Sequence, residues 1–189
     1  EKVARRLQHF IDRKISTLFE PLLKLQGDES LTGITRGFSF QMIEGLGILD
    51  RANTAEDVKA LDQDARSALR KHGVRFGQFS IFIPLLLKPA PTRLRLVLWS
   101  LASGLKEFPE APPPGLVTIP TDNKLPTGFY LKSGYRAAGL RALRVDMAER
   151  LADMLRTQNT RDGFEANSDM LSITGMTLEQ FCNLMNGLG

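Results

Sequence analysis

With 189 residues, 42% of them apolar and 24% charged, the chain can build one sizeable core or two small ones, and its composition excludes a low-complexity or disordered polypeptide. A single cysteine, Cys182, and only two histidines, His9 and His72, exclude an internal disulfide and a zinc site, so no metal is expected and the compartment reads as reducing and cytoplasmic. The longest apolar run, Phe79 to Leu87, is too short to span a bilayer and is broken by Ser80 and Pro84, so no membrane segment is expected.

Val3, Leu7, Phe10, Ile11, Ile15, Leu18, Phe19, Leu22 and Leu23 recur at helical spacing, with Pro21 either kinking the helix or opening a second short one. Arg5, Arg6, Arg13 and Lys14 decorate its other face and read as solvated. The chain opens at Glu1 inside this pattern and closes at Gly189 just after another, so it reads as a piece of a longer protein. After a turn at Gly27 to Ser30, Ile34, Phe38, Met42 and Leu46 mark a second helix, in which Arg36 and Glu44 are expected to pair with other elements.

Thr54 caps a third helix whose first turn holds Glu56 and Asp57. Its stripe of Val58, Leu61, Ala65 and Leu69 continues to His72, where Gly73 supplies the left-handed stop. His72, in that last turn, reads as compensating the helix dipole rather than as a general base.

From Arg66 to Lys106 the chain carries Arg66, Arg70, Lys71, Arg75, Lys88, Arg93, Arg95 and Lys106 without one Asp or Glu. Glu44 to Ala65 is the reverse, holding Glu44, Asp50, Glu56, Asp57, Asp62 and Asp64, so the net charge of +4 hides a dipolar molecule. A one-signed stretch raises a local potential that attracts polyanions. Within it, Val74 to Phe76 and Ser80 to Ile83 predict a small hairpin, prolines at 84, 89 and 91 divide the apolar run, and Thr92 to Ala102 predicts a buried helix carrying Trp99.

Residues 108–125 form a proline-rich connector, strand-like near Gly115 to Ile119. Asn123 to Val145 is again free of acids and carries Lys124, Lys132, Arg136, Arg141 and Arg144 with Tyr130 and Tyr135 interleaved, the mixture of cations and rings that a single-stranded nucleic acid uses. Asp146 and Glu149 stand at cap and third-residue spacing for a helix with Met147, Leu151, Met154 and Leu155 inward. Ser168 and Thr177 cap two more helices around a turn at Gly175, a helix-turn-helix-like pattern. The second of these, Leu178 to Asn186, has no Arg or Lys, which favours helical packing or a protein contact over DNA reading. Cys182 reads as a small core residue beside Phe181.

No phosphate-binding loop, metal-ligand pair or nucleophile motif is present, so no catalytic residue and no cofactor are assigned. The expected architecture is mainly α: a helical bundle with a small β element over residues 1–107, the connector 108–125, and a small three-helix, winged-helix-like unit over 126–189.

The stretch HGVRFGQFSIFIPLLLKPAPTRLRLVLW resembles a segment in the C-terminal region of bacterial superfamily 2 helicases related to the mitochondrial RNA-degradation helicase of suppressor-of-Var type. ITRGFSFQMIEGLGILDR, PPPGLVTIP, GYRAAGLRALRVDMAERLADMLR and LSITGMTLEQFCNLMNGLG are similar in the same order. The family's motor motifs do not occur in this chain. The resemblance therefore implies an accessory module that holds RNA in preference to DNA, or that docks the motor lobes, with a wing and a basic extension following the last residue. The residues assigned to the strand are Arg66, Arg70, Lys71, Arg75, Arg93, Arg95, Lys132, Tyr135, Arg136, Arg141 and Arg144. The alternative is a protein-interaction or scaffolding domain whose tail, around Leu178, Phe181 and Leu184, docks a partner.

Overall fold

Helical spacing at the start of the chain becomes α1 (Lys2–Leu18) and α2 (Glu20–Gly27), separated at Phe19 because Pro21 fits the first turn of a new helix and not the middle of a continuous one. The structure, a computed structural model describing residues 1–188, continues with α3 (Gly33–Glu44), β1 (Ile48–Asp50), α4 (Ala55–Ala60) and α5 (Gln63–Lys71). The single helix expected from Thr54 to His72 is divided. Leu61 turns extended, and the Asp62 carboxylate accepts the Ala65 amide at 2.7 Å to start α5 afresh, whereas the Thr54 side chain caps nothing. Gly73, at φ +84°, ends α5 as anticipated.

The hairpin forms as β2 (Arg75–Phe76) and β3 (Ser80–Phe82), and β1 joins it to give an antiparallel sheet in the order β1-β3-β2. A short 3₁₀ turn at Pro84–Leu87 leads into α6 (Pro89–Ala102). Phe19, Leu22, Leu25, Phe38, Met42, Leu69, Ile81 and Leu86 close the core of this part. Deleting any one of these large side chains to Ala would cost on the order of 2–5 kcal/mol.

The connector contributes β4 (Thr118–Pro120), followed by α7 (Phe129–Ser133), β5 (Tyr135–Ala138), β6 (Arg141–Arg144), α8 (Val145–Leu155), α9 (Ser168–Thr174) and α10 (Leu178–Leu188). The mainly α fold with a small β element is thus observed. It gains a second antiparallel sheet, in the order β4-β6-β5: β4 falls where the connector reads as strand-like, while β5 and β6 lie in the stretch read only for its charge. Asn167, not Ser168, caps α9, its side chain accepting the Met170 amide. Gly175 turns left-handed, and Thr177 and Gln180 exchange the reciprocal bonds of a capping box. α10 comes so close to the β5–β6 turn that a Cβ on Gly187 would collide with the backbone of Ala138 and Gly139, and Asn183 accepts the Leu140 amide at 2.9 Å.

The parts on either side of the connector are joined by a continuous seam. Val145 packs against Ile48 and Phe82. The Glu149 carboxylate, expected to serve its own helix as a cap partner, instead reaches the β2–β3 turn and accepts the backbone amides of Gln78, Phe79 at 2.9 Å and Ser80 at 2.8 Å. A Cβ at Gly77 would overlap that carboxylate, so any larger residue there would push Glu149 off the turn.

A second long-range contact sits at the end of α5. His72 faces Asp28 at 2.7 Å, in place of a purely dipolar role, and the Ser30 hydroxyl and amide also donate to Asp28. The Ser30 hydroxyl first, then His72, hold the Asp28 carboxyl down at about 2. A depressed carboxylate contributes stability above its unfolded value of about 4, and that contribution is lost as the pH falls through the folded value. Thermal unfolding between pH 4.5 and 2 should therefore show the wild type losing more stability than Asp28→Asn. Parallel curves would refute the assignment.

Candidate nucleic-acid interface

Cations bind a strand only when their charged ends face solvent, so the surroundings of each assigned residue decide its role. Arg95 is 0% exposed on the inner face of α6. Its Nε donates to Lys132 O at 2.6 Å, Nη1 to Leu86 O at 3.0 Å and Nη2 to Thr92 Oγ1 at 3.2 Å, with no carboxylate among these partners. Burial pushes its pKa down to about 10, so the guanidinium stays charged at neutral pH. The assignment of Arg95 to a strand is corrected: it ties α6 to α7 from within, because a guanidinium fork is the side chain that can serve three separated acceptors at once.

Lys132 follows the same pattern. Its Nζ donates to Gly45 O at 2.8 Å, and burial first, then the charge of Arg95, pushes its pKa down to about 8. Tyr135 is buried, its hydroxyl donating to Leu116 O at 2.6 Å, and burial raises its pKa, so it offers no ring for a base to stack on. Arg144 grips Asp146 through two bonds of 2.7 and 2.9 Å, which raises the guanidinium pKa; Asp146 is not the cap of α8 but lies in its first turn, where Oδ1 also accepts the Met147 amide at 3.0 Å. Arg136 lies over the Phe79 ring at 4.8 Å and reaches Asp50 at 3.4 Å. Arg141 donates to Thr118 Oγ1 at 3.0 Å, and Arg66 donates to Val58 O at 2.8 Å. The two acid-free stretches do meet in space. They meet at Arg95 with Lys132 and at Arg136 with Phe79, while Arg66, Tyr135, Arg141 and Arg144 bond to Val58, Leu116, Thr118 and Asp146 outside both stretches; these seven residues, engaged within the protein, leave the candidate interface.

Four assigned cations remain exposed and form no ion pair among the described residues: Arg70, Lys71, Arg75 and Arg93. Arg93 stands apart on α6, beside Pro112 to Pro114 of the connector, and Lys71 lines a separate groove with Lys24 and Glu20. Arg70 and Arg75 come together around Phe76. Arg70 lies over the ring at 5.7 Å, and Phe76 lines an open cleft of about 410 Å³ with Arg75, Gln78, Arg150 and Arg156. Three carboxylates also line the cleft, each already engaged: Asp146 with Arg144, Glu149 with the turn amides, and Asp153 with Arg156 at 3.3 Å; Arg70 stands at its margin, over the Phe76 ring.

Arg150 and Phe76 are the residues that reasoning from sequence missed. Phe76 was read as part of the hairpin, and nothing local to Arg150 says that α8 lies across that hairpin. Two further corrections concern the tail and the cysteine. Phe181 and Leu184 are 1% exposed within the cluster of α8, α9 and α10, leaving only Leu178 of the proposed docking tail at the surface, and Cys182 is exposed rather than in the core.

Among the described residues no cluster of His, Cys, Asp or Glu is placed to hold a metal, and no helix is long and apolar enough to cross a membrane. No protein-family model, characterised protein or solved structure matches the chain.

Proposed function

We propose that this chain is a non-catalytic accessory module of a helicase-type protein, acting in the cytoplasm, that contacts RNA at the cleft between the β2–β3 hairpin and α8. The observation carrying this reading is the arrangement around Phe76: Arg70 on the ring, and Arg75 and Arg150 exposed beside it without carboxylate partners. Phosphates pair with the exposed guanidinium groups, while the Phe76 ring, packed on Phe38 at 5.8 Å and lying under Arg70, holds that guanidinium in place; such contacts tolerate sequence and respond to salt. The resemblance of the hairpin stretch to the C-terminal region of RNA helicases supplies the preference for RNA over DNA and the motor lobes as neighbours.

The test is the affinity for a short single-stranded RNA at low salt. Arg70→Glu/Arg75→Glu/Arg150→Glu is expected to weaken binding about tenfold or more, and Arg93→Glu to leave it nearly unchanged. Equal effects of the two variants, or none, would remove the cleft as the contact site.

A second reading, a protein-docking module, is favoured by one specific observation: the apolar face of α1 has no partner. Val3 is 80% exposed, Leu7 and Phe10 57%, and no residue of the helix is buried.

A further inference from the structure

An amphipathic helix that is stable in water normally buries its apolar stripe. α1 does not. Residues 1–14 are all exposed, and the helix touches the body only through its C-terminal end, where Ile15 packs against the core that Phe19 enters. The stripe of Val3, Leu7, Phe10 and Ile11 carries Lys14 over the Phe10 ring at 5.5 Å and is flanked by Arg6 and Arg13, with Lys2 and Arg5 farther round the helix.

The same chain carries a surface of the opposite character. Between α3 and α5 runs an open groove of about 380 Å³, lined by Leu31, Leu61, Ala65 and Ala68 together with the hydroxyls of Ser30, Thr32 and Thr35, with Ile34 standing on it at 60% exposure. Asp62 and Asp64 stand on its edge, and neither forms an ion pair among the described residues. An apolar stripe flanked by cations and a partly apolar groove edged by carboxylates are complementary in both respects, and each lacks an occupant.

We propose that α1 of one copy docks in the α3–α5 groove of a second copy, so that the chain self-associates head to tail. The proposal rests on the docking reading and is independent of the RNA cleft. Leu7 and Phe10 supply the central anchors beside Ile34, and Arg6 and Lys14, the latter over the Phe10 ring at 5.5 Å, face Asp62 and Asp64. The contact is heterologous, so each copy offers one helix and one groove, and association continues into a ring or an open series.

The experiment is sedimentation of the full chain over a concentration series, with two variants altered only at exposed positions. Wild type should gain mass with concentration. Leu7→Glu/Phe10→Glu and Ile34→Arg/Asp64→Arg should each stay monomeric, with dimerisation weakened about tenfold or more. Mixed one to one, the two variants should form a dimer and stop there, since one still carries an intact groove and the other an intact helix. A wild type that is monomeric at every concentration, assembly that persists in either variant, or a mixture that does not pair would overturn the proposal. None of these outcomes moves the RNA affinity, so failure of the two readings is distinguishable.

Discussion

Arg95→Ala is expected to be the most damaging single substitution in the chain, lowering stability by about 3–5 kcal/mol. Two effects add. Truncation leaves a cavity where the largest fully buried side chain stood. It also strips donors from Lys132 O, Leu86 O and Thr92 Oγ1, of which Leu86 O retains only a 3.4 Å bond from the Thr92 hydroxyl. The opposing effect, release of a desolvated cation that has no anion beside it, is real and should make Arg95→Met milder than Arg95→Ala, since methionine fills most of the space. A domain of this size has about 5–15 kcal/mol in total, so the alanine variant should lie close to the edge of folding. Urea unfolding of the three proteins decides the matter. An alanine variant within about 1 kcal/mol of wild type would mean that the guanidinium is not a strut and should return to the list of surface cations.

Outside the hydrophobic cores, Glu149→Ala is expected to come next, at about 2–4 kcal/mol, and to act on the seam rather than on either core. The carboxylate satisfies three successive amides of one turn, and Ser80, the innermost, is buried in β3. Without it, those amides have water or nothing, and the β2–β3 turn loses its hold on α8. Glu149→Gln keeps one acceptor oxygen but turns an amide donor towards other donors, so it should fall between alanine and wild type. Hydrogen exchange is the sharper readout: protection at Phe79 and Ser80 should drop well before that of the Leu69 to Met42 core. Uniform loss of protection, or none, would argue against a local clamp.

How much could be read beforehand follows from how local each signal is. The stop at Gly73, the turn at Gly175 and the cap at Thr177 were legible because each is decided within a few residues. The division of α4 from α5 was not, since an unbroken apolar stripe conceals a second cap at Asp62. β5 and β6 escaped because neither alternates: β5 buries only its ends, Tyr135 and Ala138, and β6 buries the neighbours Ala142 and Leu143 on opposite faces of the sheet.

The site was legible only as a region. Charge along the sequence marks where cations are, and says nothing about which of them turn inward. The partners that Lys132, Arg95 and Arg136 find are carbonyls and a carboxylate distant in sequence, Gly45 O, Leu86 O and Asp50 among them. A segment without acids of its own is therefore free to be neutralised by the rest of the fold.

The salt dependence of RNA affinity tests the account most directly. Each phosphate contact made by a single strand contributes about −0.7 to the slope of log affinity against log salt. Three guanidinium groups around Phe76 predict a slope of about −2 for the wild type and a nearly flat line for Arg70→Glu/Arg75→Glu/Arg150→Glu. A slope twice as steep, or one that the triple variant leaves unchanged, would put the seam cations back in contact with the strand and contradict the assignment of the cleft.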